Sequence, residues 1–178
     1  MRITGGVLRS RQIKVPAGII RPAMDRMRES IFSILGDLHG MSFLDIFSGS
    51  GIIALEAASR GAAYIEAIEK DPLKRKTLLE NVGISPVRIH CRFMPVELYI
   101  KRAKRHFDFV FCDPPFNYRF KAELLKSIVD SPLMGEGSIL LIHHPKEDFP
   151  DKLPENVIIK DTREFGLSVV HFLAVRYL

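Results

Sequence analysis

The amino-acid sequence predicts an α/β protein in which a mostly parallel sheet is covered by helices on both faces. Strand-like and helix-like segments alternate regularly between residues 42 and 143, which is the pattern of a doubly wound sheet. The last two strand-like segments are separated only by a glycine turn, which predicts a terminal antiparallel hairpin. With 178 residues, of which 47% are hydrophobic, the chain can bury the core of one compact domain.

The individual elements follow from the spacing of apolar residues and from the breakers between them. Apolar residues recur at helical spacing between Asp25 and Leu35, and Gly36 ends that helix. Short apolar runs bounded by turn residues indicate buried strands. In chain order, the further segments are strand Ser42–Phe47, helix Ile52–Arg60, strand Ala63–Glu69, helix Pro72–Asn81, strand Val87–Phe93, helix Pro95–Arg105, strand Phe107–Cys112, helix Phe120–Asp130, strand Ser138–His143 and the hairpin strands Val157–Phe165 and Leu167–Tyr177.

Residues 1–20 are predicted to form a basic amino-terminal arm or hairpin, and residues 21–178 the compact domain. Lys and Arg number 26 against 21 Asp and Glu, which gives a net charge of +5. The first 28 residues carry seven of these basic side chains and a single acidic one. Because such an extended segment cannot bury itself, its cations would meet phosphates directly. We therefore expect RNA contact from Arg9, Arg11, Lys14, Arg21, Arg26 and Arg28.

Composition excludes several classes of protein. Cys91 and Cys112 are far apart and lie in apolar runs, so they indicate neither a redox pair nor a metal site, and no metal is expected. No apolar run approaches the roughly 20 residues that cross a bilayer, and the amino end lacks a signal segment. We expect a cytoplasmic protein with reduced thiols and no membrane partner.

A glycine turn follows the first predicted strand and opens into a helix. The stretch Asp45–Gly51 reads Asp-Ile-Phe-Ser-Gly-Ser-Gly, and its glycines let a ligand approach the backbone closely. Glu69 stands 20 positions beyond Gly49, at the end of the second predicted strand. A carboxylate in that place can accept hydrogen bonds from ribose hydroxyls. The spacing therefore predicts a ligand that contains a nucleoside.

Two cofactors fit this turn. Residues 49–54 match the loose dinucleotide fingerprint G-x-G-x-x-G/A, which leaves NAD open. Asp45 is expected at the mouth of the turn, where it would repel a pyrophosphate and attract a cation. S-adenosyl-L-methionine carries a sulfonium and an ammonium group and no phosphate, so the sequence favours it over NAD. A bare strand-to-helix turn without a ligand is the remaining alternative.

A second motif, Asp113-Pro114-Pro115-Phe116, follows a buried strand and is expected at the same edge of the sheet. Two prolines fix the loop and leave few amide donors, so the Asp113 carboxylate and the loop carbonyls should face outward as acceptors. Acceptors suit an exocyclic base amine, because they turn its lone pair toward a methyl donor. Phe116 would stack on a base that is unstacked or flipped out. A plain strand-terminating turn is the alternative, and the shared edge argues against it.

In these motifs the chain resembles the amino-methyltransferases, which combine an acidic glycine turn with an (Asp/Asn/Ser)-Pro-Pro-(Tyr/Phe) loop. More narrowly, it is similar to the RsmD family of bacterial 16S ribosomal RNA guanine-N2 methyltransferases, and the amino-terminal arm is the specific part of that likeness. The resemblance covers almost the whole chain. The matching stretches are Ile3-Thr4-Gly5-Gly6, Arg21-Pro22, Asp25-Arg26-Met27-Arg28-Glu29, Asp45 to Gly51 with Leu55-Glu56-Ala57, Ile68-Glu69, Asp113 to Phe116 and Phe165-Gly166.

The resemblance implies a Rossmann-like class I S-adenosylmethionine-dependent methyltransferase, with a seven-stranded mixed sheet, a terminal antiparallel hairpin and a short basic arm. It also implies a target guanine, with 16S rRNA or an assembling 30S subunit as partner, and we expect a monomer. The expected catalytic residues are Asp113, Pro114, Pro115 and Phe116. The expected cofactor-binding residues are Asp45, Phe47, Ser48, Gly49, Gly51, Glu69, Lys70, Phe93 and Met94.

Two positions depart from the family pattern. Phe93 stands where many relatives place Asp or Asn, so a hydrogen bond to the adenine amine would be replaced by stacking or backbone contacts. His143 and His144 stand at a strand end where relatives often have an acid. Because adjacent strand residues point to opposite faces, a metal shared by the two histidines is not expected, and neither is assigned a role.

Two other classes of function stay open. Similar Pro-Pro loops serve N-methyltransferases that act on adenine N6 in DNA or on a glutamine amide in protein. The chain has no spare segment for a target-recognition domain that reads duplex DNA. The arm and the loose fingerprint would also suit a non-catalytic RNA-binding module or an NAD-binding Rossmann protein.

Overall fold

A computed structural model describes residues 1–16, 25–119, 121–150 and 152–176 of the chain. The helices are α1 (Asp25–Leu35), α2 (Ile52–Ser59), α3 (Pro72–Val82), α4 (Val96–Arg102) and α5 (Lys121–Val129). The strands are β1 (Ser42–Ile46), β2 (Tyr64–Ile68), β3 (Ile89–Arg92), β4 (Phe109–Cys112), β5 (Ile139–Pro145), β6 (Val157–Phe165) and β7 (Ser168–Val175). Within these ranges, none of the helices has the length and apolar character needed to cross a membrane.

The seven strands form one sheet with the order β3-β2-β1-β4-β5-β7-β6. Strands β1 to β5 are parallel to one another, and β7 runs antiparallel to both of its neighbours, β5 and β6. The predicted mixed sheet with a terminal antiparallel hairpin is thus confirmed. From β1 the chain proceeds toward one edge through β2 and β3, and it resumes on the other side of β1 with β4. In open α/β sheets, ligands bind beyond the carboxyl ends of the strands at such a reversal, which here falls between β1 and β4.

Apolar layers flank the sheet on both sides, because alternate residues of each strand point to opposite faces. On one face, Phe43 and Phe111 pack with α1 and α2, and the Phe32 ring stacks on Phe43 with 5.9 Å between centroids. On the other face, Ile46 and Cys112 pack with α4 and α5. Every residue of β1 is buried, as expected of a central parallel strand that is covered on both sides.

Most element boundaries lie within two residues of the predicted ones, and the end of α4 is the largest exception. The sequence predicts a helix up to Arg105, but α4 ends at Arg102 because Ala103 has an extended backbone with φ −60° and ψ 135°. The Arg105 guanidinium lies 3.8 Å from the centroid of the Tyr64 ring. This cation–π contact places Arg105 against the sheet after the helix has ended.

The described part of the arm, residues 1–16, forms a small hairpin in which Arg2 pairs with Gln12 in an antiparallel bridge. The arm does not lie free, because the side chains of Ile3 and Ile13 are buried in the same core as α1 and α2. The expectation that this segment cannot bury itself is therefore wrong. Ile3 and Ile13 thus face the domain, while the basic side chains of the arm lie exposed, as do Val7 and Val15.

A glycine makes the close contact between the arm and α2 possible. Gly6 has φ +73°, and a Cβ placed on it would lie 1.8 Å from the Ser59 carbonyl oxygen, so another residue would not fit. The Ser59 hydroxyl donates a hydrogen bond to the Gly5 carbonyl at 2.6 Å. The Gly-Gly pair thus fixes the arm on the domain. The predicted boundary at residue 20 lies outside the described residues.

Candidate active site

The polar side chains of the candidate site lie at the carboxyl ends of four neighbouring strands. They are Glu69 beside β2, Asp45 on β1, Asp113 beside β4 and His143 on β5. Cys112, the last residue of β4, pairs with Ile46 of β1, and the Asp113 N–H donates to the Ile46 carbonyl at 3.3 Å. The glycine turn and the Pro-Pro loop, which the sequence predicts at one edge of the sheet, therefore lie side by side.

The glycine turn has a backbone that few residues tolerate. A Cβ on Gly51, which has φ +81°, would be strained at this φ and would lie 2.6 Å from Cδ1 of Leu78 in α3, so that side chain would have to move. Phe47 has φ +64°, a conformation that costs a residue with a side chain about 1–2 kcal/mol. Strain of this kind concentrates at functional sites. The Phe47 ring meets Tyr118 edge-on, with 5.6 Å between centroids, and so joins the turn to the segment after the Pro-Pro loop.

Asp45 lies beneath the turn and not at its mouth, where the sequence predicts it. It is 1% exposed, and its Oδ2 accepts hydrogen bonds from Ser48 Oγ at 2.6 Å and from the Ala54 N–H at 3.2 Å. Burial raises the pKa of the Asp45 carboxyl to about 7 despite these hydrogen bonds, and the negative charges of Asp113 and Glu69 add to the increase. The carboxyl therefore supports the turn from below, and the surrounding acids make this corner favourable for positive charge.

Glu69 uses both of its carboxylate oxygens to hold backbone N–H groups. Oε2 accepts from Gly49 at 2.9 Å and Oε1 accepts from Asp71 at 2.8 Å, which ties the glycine turn to the start of α3. Lys74 Nζ lies 3.8 Å from Oε2. A contact with ribose hydroxyls would use the further lone pairs of these oxygens, and it stays a prediction. Lys70, predicted beside Glu69, is exposed.

Phe93 and Met94 follow β3 at the same edge of the sheet, and both are half-buried. The guanidinium of Arg75 lies 4.7 Å from the centroid of the Phe93 ring, a cation–π contact that orients this ring. Met94 packs on the sheet face that carries α4 and α5, where it lines a cavity of about 300 Å³ with Glu66 and Tyr99. The contact of Phe93 and Met94 with an adenine ring stays a prediction.

A buried lysine, which no sequence motif indicates, holds the Pro-Pro loop. Lys121 at the start of α5 is 4% exposed. Its Nζ donates to the Phe116 carbonyl at 3.0 Å and to the Tyr118 carbonyl at 2.8 Å, and it also forms an ion pair with Asp148. The Phe116 carbonyl thus turns inward, whereas the sequence predicts that the loop carbonyls face outward. The Asp113 side chain is 29% exposed, which leaves it accessible to a ligand.

His143 contacts two residues of the Asp-Pro-Pro-Phe motif, and sequence reasoning missed it. Its Nδ1 lies 2.8 Å from Asp113 Oδ1, and its ring meets the Phe116 ring edge-on with 5.9 Å between centroids. A signal was present, because β4 and β5 are both apolar runs that end at a polar residue, and parallel pairing makes Asp113 and His143 neighbours. His144 points to the opposite face, as predicted, and stacks on Phe149 with 4.7 Å between centroids.

The structure contradicts one of the predicted RNA contacts. Arg28 is fully buried, and its guanidinium donates to Glu56 at 3.0 Å and to Asp25 at 2.6 Å, so it cannot meet phosphates. The signal for this ion pair was Glu56, a lone acid in the otherwise apolar helix α2. The residues that do lie exposed are Arg9, Arg11, Lys14 and Arg26. Arg21 lies outside the described residues.

One buried side chain joins the arm to the glycine turn. Asn81 in α3 is 4% exposed, and its Oδ1 accepts from the Lys14 N–H at 2.9 Å. Its Nδ2 donates to the Lys14 carbonyl and to the Ser50 carbonyl, at 2.9 Å in each case. The basic arm and the turn are therefore bonded to the same carboxamide.

The chain matches the family model described as Conserved hypothetical protein 95 over residues 1–174. Ribosomal RNA small subunit methyltransferase D of Haemophilus influenzae is 26% identical over 94% of this chain and 90% of its own length. YlbH of Bacillus subtilis is 30% identical over 96% of each chain. Among solved structures, yhhF of Escherichia coli has a TM-score of 0.88 and 26% identity over 100% of this chain and 99% of its own.

A more distant structure shows the same fold. SMU.776, solved in complex with SAH, has a TM-score of 0.70 at 15% identity and covers 88% of this chain and 50% of its own. The sheet order and the acid-supported glycine turn define the fold of the class I S-adenosylmethionine-dependent methyltransferases. Since the family model spans residues 1–174, the chain belongs to that family, which its motifs identify as the RsmD family.

Proposed function

We propose that this protein transfers the methyl group of S-adenosylmethionine to the exocyclic N2 amine of a guanine in small-subunit ribosomal RNA. The observation that carries the proposal is that the glycine turn and the Pro-Pro loop lie side by side, where the Asp113 N–H donates to the Ile46 carbonyl at 3.3 Å. A methyl donor bound at the glycine turn would then face an amine bound at the Pro-Pro loop. Relatives named ribosomal RNA small subunit methyltransferase D support the RNA class, and the guanine N2 position rests on the motif resemblance.

The residues of the glycine turn suit a cationic cofactor. The pKa of Asp45 is raised to about 7, first by burial and then by the charges of Asp113 and Glu69. A sulfonium and an ammonium group would relieve this repulsion, whereas a pyrophosphate would add to it. NAD is therefore the weaker alternative. The proposed cofactor contacts are Phe47, Ser48, Gly49, Gly51, Glu69, Lys70, Phe93 and Met94, and Asp45 is proposed to support this site from beneath the turn.

The protein contributes orientation and charge stabilisation, and the cofactor supplies an activated methyl group on its sulfonium. Phe116 stacks on the extruded base, while Pro114 and Pro115 fix the loop beneath it. The Asp113 carboxylate accepts a hydrogen bond from the amine, which turns the nitrogen lone pair toward the methyl carbon. As the nitrogen becomes methylated it gains positive charge. Asp113 stabilises that charge and receives the proton.

The exposed basic residues of the amino-terminal region are proposed to position the RNA through its phosphates. These residues are Arg9, Arg11, Lys14 and Arg26. Replacing Arg9 or Arg11 by Ala should weaken RNA binding and reduce the slope of log K against log salt concentration by about one per lost phosphate contact. Lys126→Ala, at an exposed lysine of α5, is the control and should leave the slope unchanged. Equal slopes in all three variants would refute the role of the arm.

Methyl transfer from labelled cofactor to hypomethylated small-subunit RNA tests the proposal. Asp113→Ala should lower the rate by about 100- to 1,000-fold, while calorimetry with S-adenosylhomocysteine should show unchanged binding. Nucleoside analysis of the product should show N2-methylguanosine. A wild-type rate in the Asp113→Ala variant would refute the mechanism.

Other outcomes of the same assays distinguish the alternatives. Label in adenine of DNA or in a protein glutamine, with none in RNA, would assign the protein to another class of N-methyltransferase. Binding of NAD without binding of S-adenosylhomocysteine would indicate a nicotinamide-binding protein. Assays on naked 16S rRNA and on assembling 30S particles would identify the form of the substrate, and sedimentation would test the expected monomer.

A further inference from the structure

We infer that His143 is a positioning residue, which holds the Asp113 carboxylate in the orientation that accepts the amine proton. The inference rests on the proposed methyl transfer and adds a further residue to the same site. It is carried by one pair of atoms, Nδ1 of His143 and Oδ1 of Asp113, which lie 2.8 Å apart.

The sheet places these two side chains together. Cys112 of β4 pairs with Ile142 of β5, so the next residue of each strand projects to the same face, side by side. His143 is 7% exposed, and the Phe116 ring lies against it with 63° between the ring planes. The imidazole is therefore confined beside Asp113.

The surroundings of the ring define where its hydrogen lies. An ionised carboxylate only accepts hydrogen bonds, so Nδ1 of His143 is the donor to Asp113. Nε2 is buried and has no hydrogen-bond partner among the described residues. A ring with its hydrogen on Nε2 alone would leave a buried donor unsatisfied and would give Asp113 no donor. The hydrogen bond to Asp113 therefore requires a hydrogen on Nδ1.

This arrangement divides the contacts of Asp113 between its two oxygens. Oδ1 accepts from His143, and Oδ2 accepts from the amine of the substrate. The N–C bond to the methyl group forms as the C–S bond breaks, and the electron pair of the C–S bond goes to sulfur. The methylated nitrogen then gives its proton to Oδ2. Because Oδ1 stays bonded to His143, the carboxylate does not rotate away from the amine, which preserves the orientation that the reaction requires.

Substitutions at position 143 separate the hydrogen-bond donor from the volume of the ring. The amide nitrogen of Asn occupies the place of Nδ1, so His143→Asn keeps a donor to Asp113, whereas His143→Leu fills the space without one. In the labelled methyl-transfer assay we expect kcat to fall about 10- to 100-fold in His143→Leu, the range for groups that orient a reacting ligand, and to stay within about threefold in His143→Asn. KM for RNA and the binding of S-adenosylhomocysteine should be unchanged in both variants.

His144 supplies a matched control on the same strand. It is 1% exposed, and its Nε2 likewise lacks a partner in the part of the chain that the structure describes. Its ring stacks on His171 with 5.0 Å between centroids, on the face away from Asp113. His144→Leu should therefore leave kcat unchanged. Equal losses of kcat in His143→Leu and His144→Leu, or an equal loss in His143→Asn, would overturn the positioning role.

A measurement without substrate keeps the failure of this inference distinct from the failure of the proposed function. Nitrogen NMR of the wild-type histidine rings should show a hydrogen on Nδ1 of His143, with His143→Asn used to assign the signal. Asp113→Ala should abolish this preference. If these results hold and RNA is not methylated, only the proposed function fails. A ring that carries its hydrogen on Nε2 and none on Nδ1 would refute the inference whatever the substrate.

Discussion

The glycine turn after β1 and the Pro-Pro loop after β4 adjoin, yet different parts of the chain hold them. In the turn, Asp45 and Glu69 bind groups within the turn and at the start of α3. In the loop, Lys121 binds the backbone from α5, and His143 holds Asp113 from β5. Asp45 and Glu69 thus use three of their carboxylate oxygens to hold the protein's own groups. A loop held by outside partners can keep one carboxylate accessible to a substrate.

The turn should be destabilised most by a side chain at its closest packing contact. Gly51→Ala places a Cβ 2.6 Å from Leu78 Cδ1 at φ +81°, so we expect a loss of about 2–4 kcal/mol in unfolding free energy from strain and overpacking. Gly49→Ala is the control, because at φ +57° its Cβ would meet nothing closer than 3.9 Å; it should lose only about 1–2 kcal/mol. Urea unfolding measures both. Equal losses would show that packing against α3 does not limit the turn.

The loop should be destabilised by the loss of its lysine. Lys121→Met keeps an apolar side chain of similar length but removes two hydrogen bonds to carbonyls and the ion pair with Asp148. We expect a loss of about 2–3 kcal/mol and a lower kcat with unchanged cofactor binding. Lys126→Met removes only an exposed ion pair with Asp130 and should cost less than about 1 kcal/mol. A stable and active Lys121→Met protein would show that the Pro-Pro loop keeps its conformation without this lysine.

The buried acid of the turn should make stability depend on pH. Burial, with a contribution from nearby acids, raises the pKa of Asp45 from 3.8 to about 7. The folded protein then binds more protons than the unfolded chain between these values. The resulting stability is fully present below about pH 4 and is lost as the pH rises through about 7.

Urea unfolding at a series of pH values measures this effect. Between about pH 5 and about pH 7 we expect the Asp45 contribution to fall by about 2 kcal/mol. Asp45→Asn keeps an acceptor for Ser48 and Ala54 but has no charge, so its unfolding free energy should lack this part of the decline. Parallel pH curves for the wild type and the variant would contradict the raised pKa.

The smallest change in stability is expected at Asp113. Its side chain is 29% exposed and bonded to His143, and Asn keeps both its shape and an acceptor. Asp113→Asn should therefore change the unfolding free energy by less than about 1 kcal/mol, although methyl transfer should be lost. A loss as large as that of Gly51→Ala would mean that the loop, like the turn, depends on its own acid.

Local sequence patterns were sufficient to place the glycine turn and the Pro-Pro loop at one edge of the sheet, because Asp45 and Asp113 stand at the ends of apolar strands. Their partners were not visible. Lys121 resembles a solvated lysine until the fold brings Asp148 to it. Arg28 lies among basic residues and is buried because Glu56 faces it from α2. Polar contacts between elements that are distant in sequence leave no periodic pattern, so these residues could not be predicted from spacing.

Asn81 couples the position of the arm to that of the glycine turn. Its carboxamide lies 2.9 Å from the Lys14 backbone and 2.9 Å from the Ser50 carbonyl, so a shift of one segment by an ångström either breaks a bond or displaces the other segment. If the arm binds RNA as proposed, a displacement of the arm would be transmitted to the Ser50 backbone of the glycine turn. The proposed binding of RNA and of the methyl donor would then be coupled through the side-chain amide of Asn81.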